Sequence, residues 1–443
     1  MQILQTLSQT SLDVHILWTS VFLRMASYSL TNQVLTLFLK QCQISESQIG
    51  WFMTLTLVGD TVISYVLTWN ADILGRRNIM IVGSLMMLVS GLVFATSTNF
   101  TVLLVAAILG VVSPSGDETG PFKTVEEASI AHLTPAGYRP EVFAIYGVFA
   151  TTGAALGSLV CGFVVDYLHQ QLEFELVRCY QVVFYVYAAV AMVKFAIMWC
   201  LSSKCEIYSD NSPVDETSTL IEGELQEEEE EEDEDEAPLK RGGHLSPQTR
   251  HYLSKLMVIF MLDSLGYGFM PSAWIVYYLK LTFKLSAAVL GTLFFVTNSL
   301  DAISLLPSAY LAKKWGPVKA MLFTQAPSAI LFALITYCHS FPLVAILLVL
   351  YSPMSTMDVV PRQVLLTSIM PKQDITKVMG TVNIGKTMAR CVGPIITGKL
   401  AEHNRLNLGF LINCVCLILA DTVLAINFIH LDHEIIQTQR IDS

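Results

Sequence analysis

The sequence predicts an all-α integral membrane protein with twelve transmembrane helices in two six-helix bundles. Three observations lead to this fold class. The chain of 443 residues is 53% hydrophobic and only 14% charged, whereas soluble proteins carry about a quarter charged residues. Its apolar residues form twelve segments of membrane-spanning length, because a bilayer core needs about 20 apolar residues per helix. A polar stretch separates the first six segments from the last six.

We number the apolar segments 1 to 12; they occupy residues 14–39, 47–69, 78–97, 101–126, 142–168, 178–202, 252–279, 286–311, 318–338, 342–367, 378–399 and 408–430. The polar stretch between the halves is rich in Glu and holds too little apolar surface to fold alone. The predicted organisation is therefore a cytoplasmic N-terminus (1–13), an N-terminal six-helix bundle (14–202), a disordered acidic cytoplasmic linker (203–249), a C-terminal six-helix bundle (250–430) and a cytoplasmic tail (431–443).

Corresponding stretches of the two halves, Ser113–Gly162 and Ser352–Gly398, have similar sequences. Each joins a Pro-containing, charged segment to a Gly-containing one. An ungapped overlay of 142–162 on 378–398 gives four identities: Val142/Val378, Thr151/Thr387, Gly157/Gly393 and Gly162/Gly398. Corresponding, Pro-broken and charged helices in two halves are expected of a transporter that arose by duplication.

The placement of Lys and Arg predicts the orientation in the membrane. With a cytoplasmic N-terminus, fourteen of these residues fall on the inner side and six on the outer side. Both termini and the linker are therefore expected in the cytoplasm. Within the linker, Glu216, Leu220 and Ile221 resemble an acidic dileucine sorting signal, which favours a vacuolar or lysosomal membrane. A chance match would leave the plasma membrane as the location.

Charge and cysteine content argue against several function classes. The net charge of −11 comes largely from the acidic run 222–236, so no nucleic-acid partner is expected. The nine Cys residues show no paired spacing, and most lie in apolar segments as small buried hydrophobes. No nucleotide-binding motif is present. We therefore expect neither an enzyme nor a cofactor or metal site.

The turn between segments 2 and 3 reads N-A-D-I-L-G-R-R (70–77). It resembles the D-R-x-G-R-R/K signature of the major facilitator superfamily. The resemblance implies the major facilitator fold and a conformational gate formed by Asp72, Gly75, Arg76 and Arg77, in which the acid holds the two halves together in one conformation. Two departures weaken the match, Ile73 for a basic residue and Thr68 for an upstream Gly. Alternatively, the two Arg residues only anchor the topology.

Segment 5 reads G-A-A-L-G-S-L-V-C-G (153–162) and resembles the G-x-x-x-G-P-x-x-G-G motif of antiporter branches. The Gly-Pro pair that this motif lacks here occurs in segment 11. Small residues let helices approach closely, so the helix-packing candidates are Gly153, Gly157, Gly162, Gly393 and Pro394. The resemblance favours antiport, although close packing alone explains the pattern.

Charges inside the apolar segments are the strongest evidence for a site. A charge in hydrocarbon costs about 2.5–3.5 kcal/mol on insertion scales and needs a partner or a wet cavity. The resemblance implies that segments 1, 4, 7 and 10 line a central cavity. Segment 1 carries Arg24 and segment 7 carries Asp263. Segment 10 carries Asp358 and Arg362, and segment 4 carries Asp117, Glu118, Lys123, Glu126 and Glu127. The other segments carry fewer: Asp60, Lys194, Asp301, Lys386, Arg390 and Asp421.

Segment 4 is broken by Gly and Pro beside Asp117 and Glu118, which is tolerated where a helix lines a cavity. A desolvated carboxylate there can carry a proton, so Glu118, then Asp117, are the proton-coupling candidates. Lys123 can reach Glu126 or Glu127 at i+3 or i+4; alternatively, these two acids lie near the inner end and are solvated. The substrate-cavity candidates are Arg24, Lys123, Asp263, Asp358 and Arg362. Alternatively, these acids neutralise the cations in fixed structural pairs.

The resemblance covers the chain outside the linker, and the S-P-x-G-x-E-x-G-P-F-x-x-V-E-E helix resembles a group of uncharacterised fungal members described as drug-transporter-like. It implies a monomeric, proton-coupled transporter of a small molecule that works by alternating access in the lipid bilayer. Two alternatives stay open. One is a facilitative or anion-selective carrier. It is suggested by the cations Lys386 and Arg390 on one face of segment 11, opposite which either an anionic substrate or an acid of segment 2, such as Asp60, could lie. The other is a non-transporting receptor or scaffold, which the costly intramembrane charges disfavour.

Overall fold

The described part of the computed structural model, residues 10–69, 74–110, 112, 121–134, 139–206, 247–370, 375–432 and 435–437, is helical throughout and contains no strand. Segment 1 consists of α1 (Leu12–Asn32) and α2 (Leu35–Gln41), segment 2 of α3 (Glu46–Trp69), segment 3 of α4 (Arg76–Thr96), segment 4 of α5 (Phe100–Gly110) and α6 (Pro121–Leu133), segment 5 of α7 (Arg139–Gln170), and segment 6 of α8 (Leu176–Trp199). Segment 7 consists of α9 (Pro247–Phe269) and α10 (Ser272–Phe283), segment 8 of α11 (Ala287–Trp315), segment 9 of α12 (Pro317–Leu334), segment 10 of α13 (Phe341–Thr356) and α14 (Val359–Ile369), segment 11 of α15 (Ile375–Glu402), and segment 12 of α16 (Leu408–Phe428).

Nine of the segments are long and apolar enough, within the described residues, to cross a membrane on their own. Segments 1, 4 and 11 are the exceptions. Segment 1 carries Arg24, the described residues of segment 4 form the two short helices α5 and α6, and segment 11 carries Lys386 and Arg390. The segments that fail a simple hydropathy test are thus among those that hold the buried charges.

The helices pair in the same way in both halves. Segment 1 packs against segments 5 and 6, segment 3 against 4 and 6, and segment 2 against 4. In the second half, segment 7 packs against 11 and 12, segment 9 against 10 and 12, and segment 8 against 10. Adding six to each number of the first set gives the second set. The repeat expected from the sequence is therefore present, and the two six-helix bundles are confirmed.

The outward surface of the bundles is apolar. Ile303, Met388 and Ile426 are 63%, 65% and 74% exposed, and many other large hydrophobic side chains are also exposed along the helices. Soluble proteins rarely present contiguous apolar surface on this scale. The buried aromatic and aliphatic side chains form two clusters, one that extends from the N-terminal half into segments 7 to 12 and one confined to the C-terminal half. This distribution is that of a protein surrounded by lipid.

We call the membrane side at which α1 begins and α16 ends the inner side, and the opposite side the outer side.

Segments 3 and 9 begin in the same way. On the inner side, Gly75 and Gly316 precede these helices with φ angles of 88° and 90°, a region that favours glycine. The Glu206 carboxylate accepts bonds from the first two backbone N–H groups of α4, and the Asp432 carboxylate does so at Val318 and Lys319 of α12. An acid at a helix N-terminus satisfies otherwise unpaired donors and the helix dipole.

Candidate functional site

A cavity of ≈ 420 Å³ lies between the two halves and is lined by residues of segments 1, 5, 7, 8, 10 and 11. Its wall contains six charged side chains, all from the C-terminal half: Asp263, Asp301, Asp358, Arg362, Lys386 and Arg390. Asp301 is roughly central in α11, and Asp358 and Arg362 lie at the break between α13 and α14 inside segment 10. A polar cavity at the middle of the membrane, where two repeats meet, is where secondary transporters bind substrate.

Arg362 holds two acids of the C-terminal half in one ion-pair cluster. Its Nη2 atom is 2.7 Å from Oδ2 of Asp263 and also bonds Asp358, which lies one helical turn earlier, as the i,i+4 spacing predicts. The Gln325 amide donates to the other oxygen of Asp263 at 2.5 Å. Both acids are buried. Three of the substrate-cavity candidates, Asp263, Asp358 and Arg362, therefore lie together in the cavity wall, with their charges directed at each other.

A second charge network lies inside the N-terminal half. Arg24 Nη2 is 2.7 Å from Oε2 of Glu126, which also accepts from Tyr146 at 3.0 Å. The other carboxylate oxygen accepts from Ser20 at 2.7 Å and lies 3.5 Å from the Lys194 ammonium. Arg24 and Glu126 are fully buried. The cavity candidate Arg24 is thus placed within the bundle, and it is not among the described residues that line the cavity.

The expectation that Glu126 is solvated at the inner end of segment 4 is wrong. The structure places its side chain at 0% exposure. The reason is that α6 packs against α1, α3, α4 and α7, which places Glu126 beside Arg24 and Lys194. Two buried cations need an acid between them, because an uncompensated buried charge is strongly destabilising.

Several candidates from the sequence lie outside the described residues. These are Asp72 of the gate motif, the proton-coupling candidates Asp117 and Glu118, and the sorting-signal candidates Glu216, Leu220 and Ile221. Their roles stay predictions. The cavity candidate Lys123 is described and is half-buried on α6, but it does not line the cavity.

The described part of the gate motif bonds within the N-terminal half. Gly75 provides the turn into α4, Arg76 Nη1 donates to the Ala128 carbonyl at 3.2 Å, and Arg77 Nη2 donates to the Trp199 carbonyl at 2.7 Å. These bonds join the start of segment 3 to segments 4 and 6. They fit the anchoring interpretation of the two Arg residues, and a gate role would need the acid at position 72.

The helix-packing candidates lie at close contacts between helix backbones. A Cβ atom on Gly153 would lie 2.4 Å from the Phe22 carbonyl oxygen, and one on Gly157 would lie 2.2 Å from that of Ala26, both in segment 1. On Gly162 it would lie 2.4 Å from the carbonyl oxygen of Ala287, in segment 8 of the other half. Real Cβ atoms are not found at such distances. These positions therefore require glycine.

The remaining packing candidates show the same feature in segment 11. A Cβ atom on Gly393 would lie 2.0 Å from the carbonyl carbon of Gly268 in segment 7. The Pro394 carbonyl oxygen lies 2.4 Å from the position of a Cβ on Gly50, and Gly398 faces the same glycine of segment 2. Segments 5 and 11 thus each pack against their own half and against the opposite half.

Hydrogen bonds between the halves close the outer side of the cavity. Both carboxylate oxygens of Asp166, in segment 5, accept at 2.9 Å from the backbone N–H groups of Ala287 and Ala288 at the start of segment 8. Tyr277 donates to Glu46 at 3.0 Å. Further hydrogen bonds between the halves, made by Asn32, Thr54 and Asn298, lie nearer the middle of the helices. The structure is therefore held closed at its outer side.

The sequence indicated the cavity charges of segments 8 and 11 only weakly. Asp301, Lys386 and Arg390 were noted as intramembrane charges, but the resemblance directed attention to segments 1, 4, 7 and 10. The available signal was the spacing in segment 11, since two cations at i and i+4 repel unless an anion lies near. The outer contact of Asp166 had no sequence signal, because it involves backbone N–H groups.

Comparisons with known proteins agree with this architecture. The family model described as Major Facilitator Superfamily matches residues 17–239 and 256–440. The uncharacterized membrane protein YJR124C of Saccharomyces cerevisiae is 48% identical over 430 residues, covering 96% of both chains. The quinolone resistance protein NorA of Staphylococcus aureus is 25% identical over 158 residues, covering 36% of this chain and 39% of NorA.

Solved structures show the same fold at low identity. A bacterial homolog of the human lysosomal transporter Spinster, in an inward-facing and unoccupied conformation, matches with a TM-score of 0.72 and 12% identity, covering 94% of this chain and 96% of the other. A D-xylose-proton symporter matches with a TM-score of 0.66 and 14% identity, covering 93% and 96%. At these identities the similarity establishes the fold alone.

Proposed function

We propose that this chain, which belongs to the major facilitator superfamily, is a proton-coupled antiporter that works by alternating access. It is a secondary transporter of a small molecule in a lipid bilayer and not an enzyme. The two halves would rock about the central cavity, as in other transporters built from repeats. The proton as the coupling ion, antiport as the transport mode, and the residues that bind the proton are what we propose.

The observation that carries proton coupling is the environment of Asp301. This carboxylate lines the cavity and accepts from the Ser352 hydroxyl at 2.6 Å, while the neighbouring Thr356 hydroxyl donates to the Ser352 carbonyl. It forms no ion pair with any residue that the structure describes. Asp301 is half-buried; an ionised carboxylate that is partly withdrawn from water without a cation is costly, and binding a proton lowers that cost. Asp301 can therefore exchange protons with the cavity without breaking a salt bridge.

Antiport follows if the substrate and the proton compete for the same carboxylate. In the cavity, a cationic group of the substrate would displace the proton from Asp301. Glu118 and Asp117 of segment 4 are the other candidates for this role, from the sequence. Opening to the outer side would require release of the contacts made by Asp166 and Glu46.

A facilitative or anion-selective carrier without proton coupling is the second candidate. The observation that favours it is that most of the other acids are already paired: Glu126 with Arg24 and Lys194, and Asp263 and Asp358 with Arg362. If these pairs stay fixed through the cycle, flux would be indifferent to a proton gradient. A non-transporting receptor would show no flux, and its phenotype would follow the acidic linker.

We further propose that both termini are cytoplasmic, so that the inner side is the cytoplasmic side, and that the protein is a monomer of the vacuolar or lysosomal membrane or of the plasma membrane. The excess of Lys and Arg on the inner side supports this orientation.

The test uses purified protein in sealed vesicles that contain a pH dye. A proton gradient is imposed and pools of metabolites and drugs are added to the parent, Asp301→Asn, Glu118→Gln and the exposed control Glu402→Gln. We expect a substrate-driven pH change in the parent and the control, and a loss of at least tenfold in Asp301→Asn. Retention in Asp301→Asn with loss in Glu118→Gln would move the coupling site to segment 4. Labelled flux without a pH change would support the facilitative carrier, and no response to any pool would favour the receptor.

A further inference from the structure

We propose that Asp421, on segment 12, is a proton-binding site behind the wall of the cavity, and that its proton keeps Arg362 paired with Asp263 and Asp358. The site goes beyond the proposed function, because Asp421 is not among the described residues that line the cavity. Its ligand is a proton, and its occupancy can be measured without transport.

Asp421 is buried where segment 12 packs against its neighbours. The residue is 5% exposed and lies on the face of α16 that also buries Leu417, Ala420 and Leu424. The helix packs against α9 of segment 7 and α12 of segment 9. Asp421 is the only charged residue of α16. An ionisable residue inside a membrane span is costly, and its position therefore indicates a functional role.

Neither carboxylate oxygen of Asp421 has a hydrogen-bond partner. Both oxygens are buried and accept no bond from any residue that the structure describes, and Asp421 is in none of the ion pairs formed there. Glu126, Asp263 and Asp358 each meet a cation, and Asp301 accepts from a hydroxyl. An ionised carboxylate that is buried without any partner is so costly that the group takes up a proton instead.

The charges near Asp421 are already committed to each other. The charged groups close enough to act on it are Asp263 of segment 7 and Asp358 and Arg362 of segment 10. Arg362 Nη2 bonds both acids, and the second oxygen of Asp263 accepts from the Gln325 amide. A third ionised acid would be repelled by two negative charges and would compete with them for one cation. A proton on Asp421 removes both effects.

Arg362 is also the cation that an ionised Asp421 would attract. Its Nε atom is buried and has no acceptor within the described ranges, so it has a donor to spare. Loss of the proton from Asp421 would therefore draw Arg362 away from the cavity wall toward segment 12. The other titratable groups of the helices around Asp421 lie toward the inner ends of α9 and α12, as do Lys255 and Lys319, or line the cavity, as do Tyr267, Lys386 and Arg390.

The test reads the carboxyl group directly, by infrared spectroscopy of the purified full chain in lipid nanodiscs. A protonated carboxyl has a C=O stretching band that an ionised carboxylate lacks. At neutral pH we expect a band in the parent that is lost in Asp421→Asn. The control Glu402→Gln replaces an exposed acid at the end of α15, which is ionised at neutral pH, and should keep the band. A parent without any such band, or a band unchanged in Asp421→Asn, would overturn the site.

Asp263→Asn tests the link to Arg362. The replacement removes one negative charge near Asp421 and leaves Arg362 with one acid fewer. The proton affinity of Asp421 should therefore fall at least tenfold, and its band should disappear at least about one pH unit lower than in the parent. An unchanged titration of the band would overturn the link.

A second measurement uses the midpoint of thermal unfolding as a function of pH. If the folded chain holds a proton on Asp421 that the unfolded chain has lost, the folded state binds more protons and its stability falls as the pH rises. Between about pH 6 and about pH 8, where an exposed Asp stays ionised, one such proton changes the unfolding equilibrium by up to tenfold per pH unit. This part of the pH dependence should be absent in Asp421→Asn, and equal dependences would overturn the site.

This site and the proposed function can fail separately. A band lost in Asp301→Asn but kept in Asp421→Asn would overturn the site on segment 12 and leave the proton at Asp301. A band lost in Asp421→Asn would support the site on segment 12 even if flux in sealed vesicles is indifferent to a proton gradient.

Discussion

The contact between Asp166 and the start of segment 8 predicts how readily the cavity opens to the outer side. One carboxylate binds two consecutive backbone N–H groups across the boundary between the halves, at 2.9 Å each. The contact can exist only while the outer side is closed, because it joins segment 5 to the opposite half. Asp166→Asn keeps the shape of the side chain but loses the charge and one of the two acceptor atoms.

The size of the effect follows from these two losses. A hydrogen bond to a charged group contributes about 1.5–3 kcal/mol, and an acid at a helix N-terminus adds about 0.3–1 kcal/mol when exposed. Asp166 is half-buried, so solvent screens part of this and the replacement should cost about 1–2 kcal/mol. Since 1.4 kcal/mol is a factor of ten, the closed-to-open equilibrium should shift by about 5- to 30-fold.

Hydrogen–deuterium exchange reads this shift directly, because the exchange of a protected amide tracks the free energy of opening. In nanodiscs, peptides that cover residues 286–291 should exchange about 5- to 30-fold faster in Asp166→Asn than in the parent. The control is Glu175→Gln, which removes an exposed acid at the outer end of segment 6. If both variants exchange at the parent rate, Asp166 does not hold the outer side closed and the reasoning is refuted.

Two further changes test the packing and the buried charges through the midpoint of thermal unfolding, followed by intrinsic fluorescence in detergent. Glu126→Gln should lower the midpoint strongly, because it leaves Arg24 and Lys194 without their acid and breaking a buried ion pair costs about 3–5 kcal/mol; an unchanged midpoint would contradict the network. Gly157→Ala should also lower it, since the added Cβ would lie 2.2 Å from the Ala26 carbonyl oxygen. The matched change Gly147→Ala, where no atom lies within 4 Å, should leave it unchanged or raise it. Equal midpoints for the two glycine variants would show that segments 1 and 5 can move apart without cost.

The helices were predictable because their signal is compositional. Twenty apolar residues in sequence indicate a membrane span whatever their partners, and the ends found in the structure lie within a few residues of those expected for most segments. The breaks inside the spans were harder to foresee. Segment 7 is interrupted before Ser272, where Pro271 gives a local reason, but segment 1 is interrupted between Asn32 and Leu35 with neither Pro nor Gly. That break has no local signal in the sequence.

The candidate site was predictable in kind but not in position. A charged side chain in the middle of an apolar helix must meet a partner or water, and Arg24 and Lys386 satisfy that rule equally well in the sequence. Only the structure separates them, since Arg24 meets Glu126 inside its bundle whereas Lys386 lines the cavity. The distinction depends on how each helix is rotated about its axis relative to the other eleven segments. Local sequence does not encode that direction.

The outer closure is not symmetric, although the helix pairing is. The segment 5–8 boundary has the carboxylate contact of Asp166. At the counterpart boundary of segments 2 and 11, Gly50 faces Pro394 and Gly398 in a backbone contact, and the Thr54 hydroxyl donates to the Cys391 carbonyl at 2.7 Å. The contact at the glycines is short-ranged and is lost when the helices separate by a small distance, whereas the attraction exerted by the Asp166 charge acts over a longer distance. If the halves open by rocking, exchange in Asp166→Asn should therefore rise at residues 286–291 before it rises at 46–54, and equal rises at both boundaries would mean that the two contacts open as one unit.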